Sequence, residues 1–127
     1  MPVALTCIAL LGFLLFGLGL AVSMKRGNTN TLIGHAPDPA DPLHKLVRAH
    51  GNTAEYAPLL ALLMLAVALN EPAAWTLWCM GIATAARYLL VVGVLASPTL
   101  AKPHPLRFVG AATTYLTGIA LSVALLI

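Results

Sequence analysis

Four apolar segments of membrane-spanning length are fitted into 127 residues, with little chain left between them. A helix needs about 20 apolar residues to cross the hydrocarbon of a bilayer. Residues 3–24, 42–69, 72–95 and 106–127 each meet that requirement. The expectation is an all-α integral membrane protein, a bundle of four transmembrane helices forming a single membrane domain over 1–127. Composition agrees, since 60% of the residues are hydrophobic and 9% charged, with a mean hydropathy of +0.91. That profile excludes a soluble globular domain. The formal charge of +3 does not imply nucleic acid, because the few basic residues sit at helix ends and cannot line a phosphate-tracking groove.

The connections set the topology. Val3 to Ala21 carries no charge and no basic residue precedes it, so it reads as a retained first helix and not as a cleaved signal. A long polar loop, about 25–41, ends in Pro37-Asp38-Pro39-Ala40-Asp41-Pro42, where Asp41 is placed to cap a helix beginning at Pro42. Asn70-Glu71-Pro72 is a tight turn between antiparallel neighbours, and a third loop spans about 97–105. Lys25, Arg26, Lys45, Arg48, Arg87, Lys102 and Arg107 all fall on or toward the side of the first and third loops, while the second loop carries only Glu71. The positive-inside rule puts those loops in the cytoplasm and both termini outside. The short chain and minimal loops suggest a bacterial inner membrane.

One stretch does not suit hydrocarbon. Arg48-Ala49-His50-Gly51-Asn52-Thr53-Ala54-Glu55-Tyr56-Ala57-Pro58 runs directly into the apolar block Leu59 to Leu69. At 100° per residue, Arg48, Asn52 and Glu55 share an arc of about 60°, with Tyr56 at its edge. Glu55 lies about 20 Å along the axis from Pro42, deep enough that an unpaired carboxylate costs on the order of 3 kcal/mol. Arg87 on the third helix is the expected partner, at similar depth, with Tyr88 beside it and Tyr115 on the fourth helix. The result is a cationic pocket suited to separated carboxylates, because guanidinium binds carboxylate as a fork. Glu55 and Asn52 are available to accept from an amino group, so a zwitterionic peptide meets the demands of the site.

The segment Arg48-Ala-His-Gly-Asn52-Thr-Ala-Glu55-Tyr56-Ala-Pro58-Leu resembles the R-A-x-x-N-x-x-E-Y-x-P-L signature of the MAPEG family, the membrane-associated proteins in eicosanoid and glutathione metabolism. The long first loop, short second loop and Arg87-Tyr88 pair extend the resemblance. It implies a homotrimer with glutathione bound between subunits at the cytoplasmic side, and a lipophilic electrophile or hydroperoxide arriving from the membrane lipid. Carried over, Arg48 holds a glutathione carboxylate, Asn52 and Glu55 contact its γ-glutamyl end, and Tyr56, Tyr88 and Arg87 complete the binding set. Lys25 or Arg26 resembles the basic residue contributed by a neighbouring subunit. His50 aligns with a position that also reaches an adjacent site. It points about 200° from Arg48, so the helix would serve two sites at once.

The chemistry implied is thiolate formation followed by conjugation or reduction. A thiol with a pKa near about 8.5 needs a nearby cation to be nucleophilic at neutral pH. The arginine that does this in the best-known members aligns with Thr99, and a tyrosine one turn beyond Tyr88 aligns with Val92. Arg107, in Pro105-Leu106-Arg107-Phe108-Val109-Gly110-Ala111, resembles the bacterial-type pattern and is the catalytic candidate, with Lys102 the substitute. Transferase, peroxidase and isomerase activities all stay open. No metal site is expected, since His35, His44 and His104 lack ligand spacing. The rival readings are a small multidrug-type transporter, whose coupling carboxylate would sit in the first helix where none exists, and a non-catalytic membrane subunit.

Overall fold

The computed structural model describes residues 1–127, and four long apolar helices form a bundle. They are α1 (Pro2–Thr29), α2 (Pro42–Leu69), α3 (Ala74–Ala96) and α4 (Pro105–Ala124). In a membrane the backbone groups must bond within their own segment, which is why each apolar run becomes a helix. The ends follow local chemistry. The Asp41 carboxylate accepts from the His44 amide at 2.8 Å and caps α2. Pro42 and Pro105 open α2 and α4, where a missing N–H costs nothing.

Three helix boundaries differ from the apolar pattern by more than one residue, one of them the end of α4, at Ala124 where the apolar run continues to 127. α1 continues past Met24 to Thr29, so Lys25 and Arg26 are helical, and it stops where Asn30 turns left-handed at φ 51° and donates back to the Arg26 and Gly27 carbonyls. Hydropathy ends before the helix does, because Ser23 to Thr29 contains no proline to break it. At the other end of the bundle, Glu71 adopts φ 52° in the tight turn, which delays α3 until Ala74.

One buried cluster, including Cys7, Leu11, Leu60, Met64, Met80 and Leu121, joins α1, α2, α3 and α4 toward the Glu71 end. A second, of Leu14, Leu18, Ala49, Leu90, Val91 and Val94, lies toward the basic end. The two loops at the basic end are tied together by the Leu100 amide, which donates to the Pro39 carbonyl at 2.9 Å. α4 packs mainly on α3 and only loosely on α2. The α3–α4 crossing is close because of two glycines. A Cβ at Gly93 would stand 2.8 Å from the Arg107 nitrogen, and one at Gly110 would stand 2.7 Å from the Leu90 nitrogen. Tight packing on α3 and loose packing on α2 opens a seam between α2 and α4, and the site lies along it.

Candidate functional site

At the basic end of that seam is a cleft of about 330 Å³. Arg48 and Asn52 face it from α2, Arg107, Phe108 and Ala111 from α4, Leu90 and Val94 from α3, and Pro103 from the last loop. Arg48 and Asn52 are one helical turn apart, so their side chains stack along one face. Arg107 enters from the first turn of α4. One of its guanidinium nitrogens is occupied, since Nη1 donates to the carbonyls of Leu100 at 3.3 Å and Lys102 at 3.1 Å. These bonds anchor the side chain to the α3–α4 loop and leave Nε and Nη2 as its other donors. The cleft is lined by two cations and an amide and by no carboxylate, a lining whose charge suits an anion.

Arg87 is fully buried but does not form the expected bridge to Glu55. Its Nη2 donates to Asn52 Oδ1 at 2.8 Å and to Thr53 Oγ1 at 3.4 Å. Its guanidinium carbon lies 5.4 Å from the centre of the Tyr56 ring, within reach of a cation–π contact. Depth explains the change of partner. Arg87 is about 14 Å from the end of α3, Asn52 about 15 Å from the start of α2, and Glu55 about 20 Å from it. Glu55 is exposed. The Asn52 oxygen, expected to accept from a ligand amino group, is engaged by Arg87 instead.

The aromatic residues divide differently from expectation. Tyr88 does not line the cleft, because its hydroxyl donates to the Leu10 carbonyl at 2.8 Å and ties α3 to α1. Tyr56 pairs with Tyr115, with ring centres 5.5 Å apart and hydroxyls 3.5 Å apart. Both line a second, apolar groove of about 380 Å³, which follows the cationic cleft along the same two helices through Leu59, Leu63, Gly118 and Ile119. Lys102 lines a separate pocket of about 260 Å³ with Ser97, Thr99 and His104.

His50 lies on the opposite side of α2, as the helical angles require. There it shares a cleft of about 590 Å³ between α1 and α2 with Arg26, Ser23, Phe16 and Leu20. Lys25 is not part of that lining, which separates it from Arg26. Leu90 and Val94 also line the cleft; the only sequence signal for them is that they follow Arg87 at i+3 and i+7 and so belong to its face. No cluster of His, Cys, Asp or Glu with metal-binding geometry is present. Cys7 and Cys79 are both free thiols.

No curated protein and no solved structure matches the chain significantly. A family model does, over residues 4–127, and its description is the MAPEG family.

Proposed function

The chain belongs to the MAPEG family, largely glutathione transferases and peroxidases, and we propose that it is a membrane enzyme that activates glutathione and conjugates or reduces lipophilic electrophiles or hydroperoxides. The observation that carries this is the convergence of Arg48, Asn52 and Arg107 on one cleft that no acid lines. Glutathione has two carboxylates and a thiol, and a cleft of this kind favours the charged form of each.

In this reading Arg48 forms a two-pronged contact with a carboxylate. Arg107 faces the thiol with Nε or Nη2 and stabilises the thiolate. The proton leaves to water, and the sulfur lone pair attacks the electrophile, expelling its leaving group. With a hydroperoxide the thiolate attacks the outer oxygen instead. The O–O bond breaks and the outer oxygen stays on sulfur as a sulfenic acid. The alkoxide takes a proton from water and leaves as the alcohol, and the thiol of a second glutathione displaces water from the sulfenic acid to give the disulfide. The Tyr56–Tyr115 groove supplies an apolar path to the reacting sulfur for a second substrate from the lipid.

Glu55, exposed on this subunit, and the Arg26–His50 cleft on the far side of α2 support a ring of subunits. One face of each α2 would serve its own site and the other a neighbour's, as a homotrimer requires. The basic end would face the cytoplasm, in a bacterial inner membrane.

The test is calorimetric titration of detergent-purified protein with glutathione, followed by conjugation of a generic aryl halide. Wild type should bind and turn over, while Arg48→Ala should lose binding and keep its fold. Equal glutathione binding by both proteins, or none by the wild type, would remove the basis for this assignment.

A further inference from the structure

Arg87 is a buried cation within a membrane-spanning helix, and its strongest bond is to a neutral amide. Chemistry dictates how that amide must be turned. A guanidinium has N–H donors and no acceptor, so the atom that Asn52 presents to it is the oxygen. Thr53 reinforces the arrangement. Its hydroxyl proton goes to the Ala49 carbonyl at 2.8 Å, which leaves a lone pair for Arg87 at 3.4 Å. With Oδ1 held toward α3, the amide plane carries Nδ2 to the other side, and Asn52 lines the cleft together with Arg48 and Arg107.

We infer that Arg87 is a positioning residue that locks Asn52 as a hydrogen-bond donor, making the cleft a donor-only cradle that selects a carboxylate over the corresponding carboxamide. This rests on the reading that glutathione occupies the cleft, and it specifies the group the cleft recognises. A carboxylate only accepts, and here meets only donors. A carboxamide in the same place must turn its own N–H groups toward Arg48, Asn52 or Arg107, donor against donor, and a polar contact left unpaired away from water is heavily penalised. If Asn52 could rotate, its oxygen would accept from the carboxamide and the preference would shrink.

The experiment uses detergent-purified full-length protein, glutathione and its two mono-carboxamides. Wild type prefers glutathione over at least one mono-carboxamide by about tenfold or more. Arg87→Met frees the amide and reduces that ratio toward one, while Arg87→Lys, which still donates to Oδ1, retains it. Asn52→Asp gives Arg87 a carboxylate, so melting is at or above the wild-type temperature. Its second oxygen faces the cleft, and glutathione affinity falls about tenfold or more. Glutathione binding to Asn52→Asp within about twofold of wild type overturns the inference, as does full preference in a folded Arg87→Met protein.

A thermal double-mutant cycle of Arg87→Met with Asn52→Leu reads the lock without any ligand. Coupled effects support it and additive effects overturn it. Absence of glutathione binding by the wild type refutes the assignment of the ligand, and the cycle still decides whether Arg87 holds Asn52.

Discussion

Replacing Gly93 by alanine adds one carbon at the point where α3 crosses the first turn of α4. That carbon would stand 2.8 Å from the Arg107 nitrogen, 2.9 Å from Leu106 Cβ and 3.0 Å from the Leu106 carbonyl carbon. Two of the three are backbone atoms and cannot rotate aside. Carbon contacts relax at about 3.5 Å, so the start of α4 has to retreat by roughly 0.5 to 0.7 Å. Overpacking of this kind costs about 1–3 kcal/mol. The functional effect should exceed the stability effect, because the retreating turn carries Arg107, and a misplacement near 1 Å can cost about a hundredfold in rate. Melting of the detergent-solubilised protein and near-ultraviolet thiolate absorbance in the glutathione complex measure the two effects separately. Gly81→Ala is the control, since apart from its chain neighbours and its own helical backbone nothing lies within 4 Å of the added carbon. The expected result is a Gly93→Ala protein that is folded, less stable and poor at forming thiolate, beside an unaffected control. Wild-type melting and wild-type thiolate in Gly93→Ala would refute the close crossing and its role in placing Arg107.

Other consequences are simpler. Arg107→Ala should keep glutathione binding within an order of magnitude and lose most of the thiolate signal, whereas Lys102→Ala should leave it unchanged; spectroscopic titration of both proteins checks the assignment. Tyr88→Phe removes the bond to the Leu10 carbonyl and should cost about 1 kcal/mol in thermal stability with little change in KM for glutathione. Asp41→Ala removes the cap of α2 and should destabilise by about 0.5–2 kcal/mol, measured by thermal melting in detergent.

Much of this architecture is legible in the sequence because hydrocarbon imposes few choices. An uncharged run such as Val3 to Ala21 has only one common way to satisfy its backbone across a bilayer. The angular positions of Arg48, Asn52 and His50 are equally legible, since they depend only on residues per turn within one helix. Their separation into the Arg107 cleft and the Arg26 cleft follows from those angles. What sequence does not resolve is the relation between helices. Asn52 and Glu55 differ in depth by less than one turn of about 5.4 Å, and that difference decided which of them meets Arg87. The direction of Tyr88 depends on the rotation of α3 about its own axis. That rotation goes with packing between helices, the close approaches at Gly93 and Gly110 among it, which no residue pattern reports.

The central claim is that the Arg48–Asn52–Arg107 cleft holds the anionic group of glutathione. Its most direct test is an experimental structure of the protein in lipid with glutathione bound. Density for a glutathione carboxylate is expected against Arg48 and Asn52, with the sulfur toward Arg107 and Arg26 and His50 of a neighbouring subunit close by. Glutathione density at any other place on the protein, with this cleft filled only by water or lipid at saturating ligand, would contradict it.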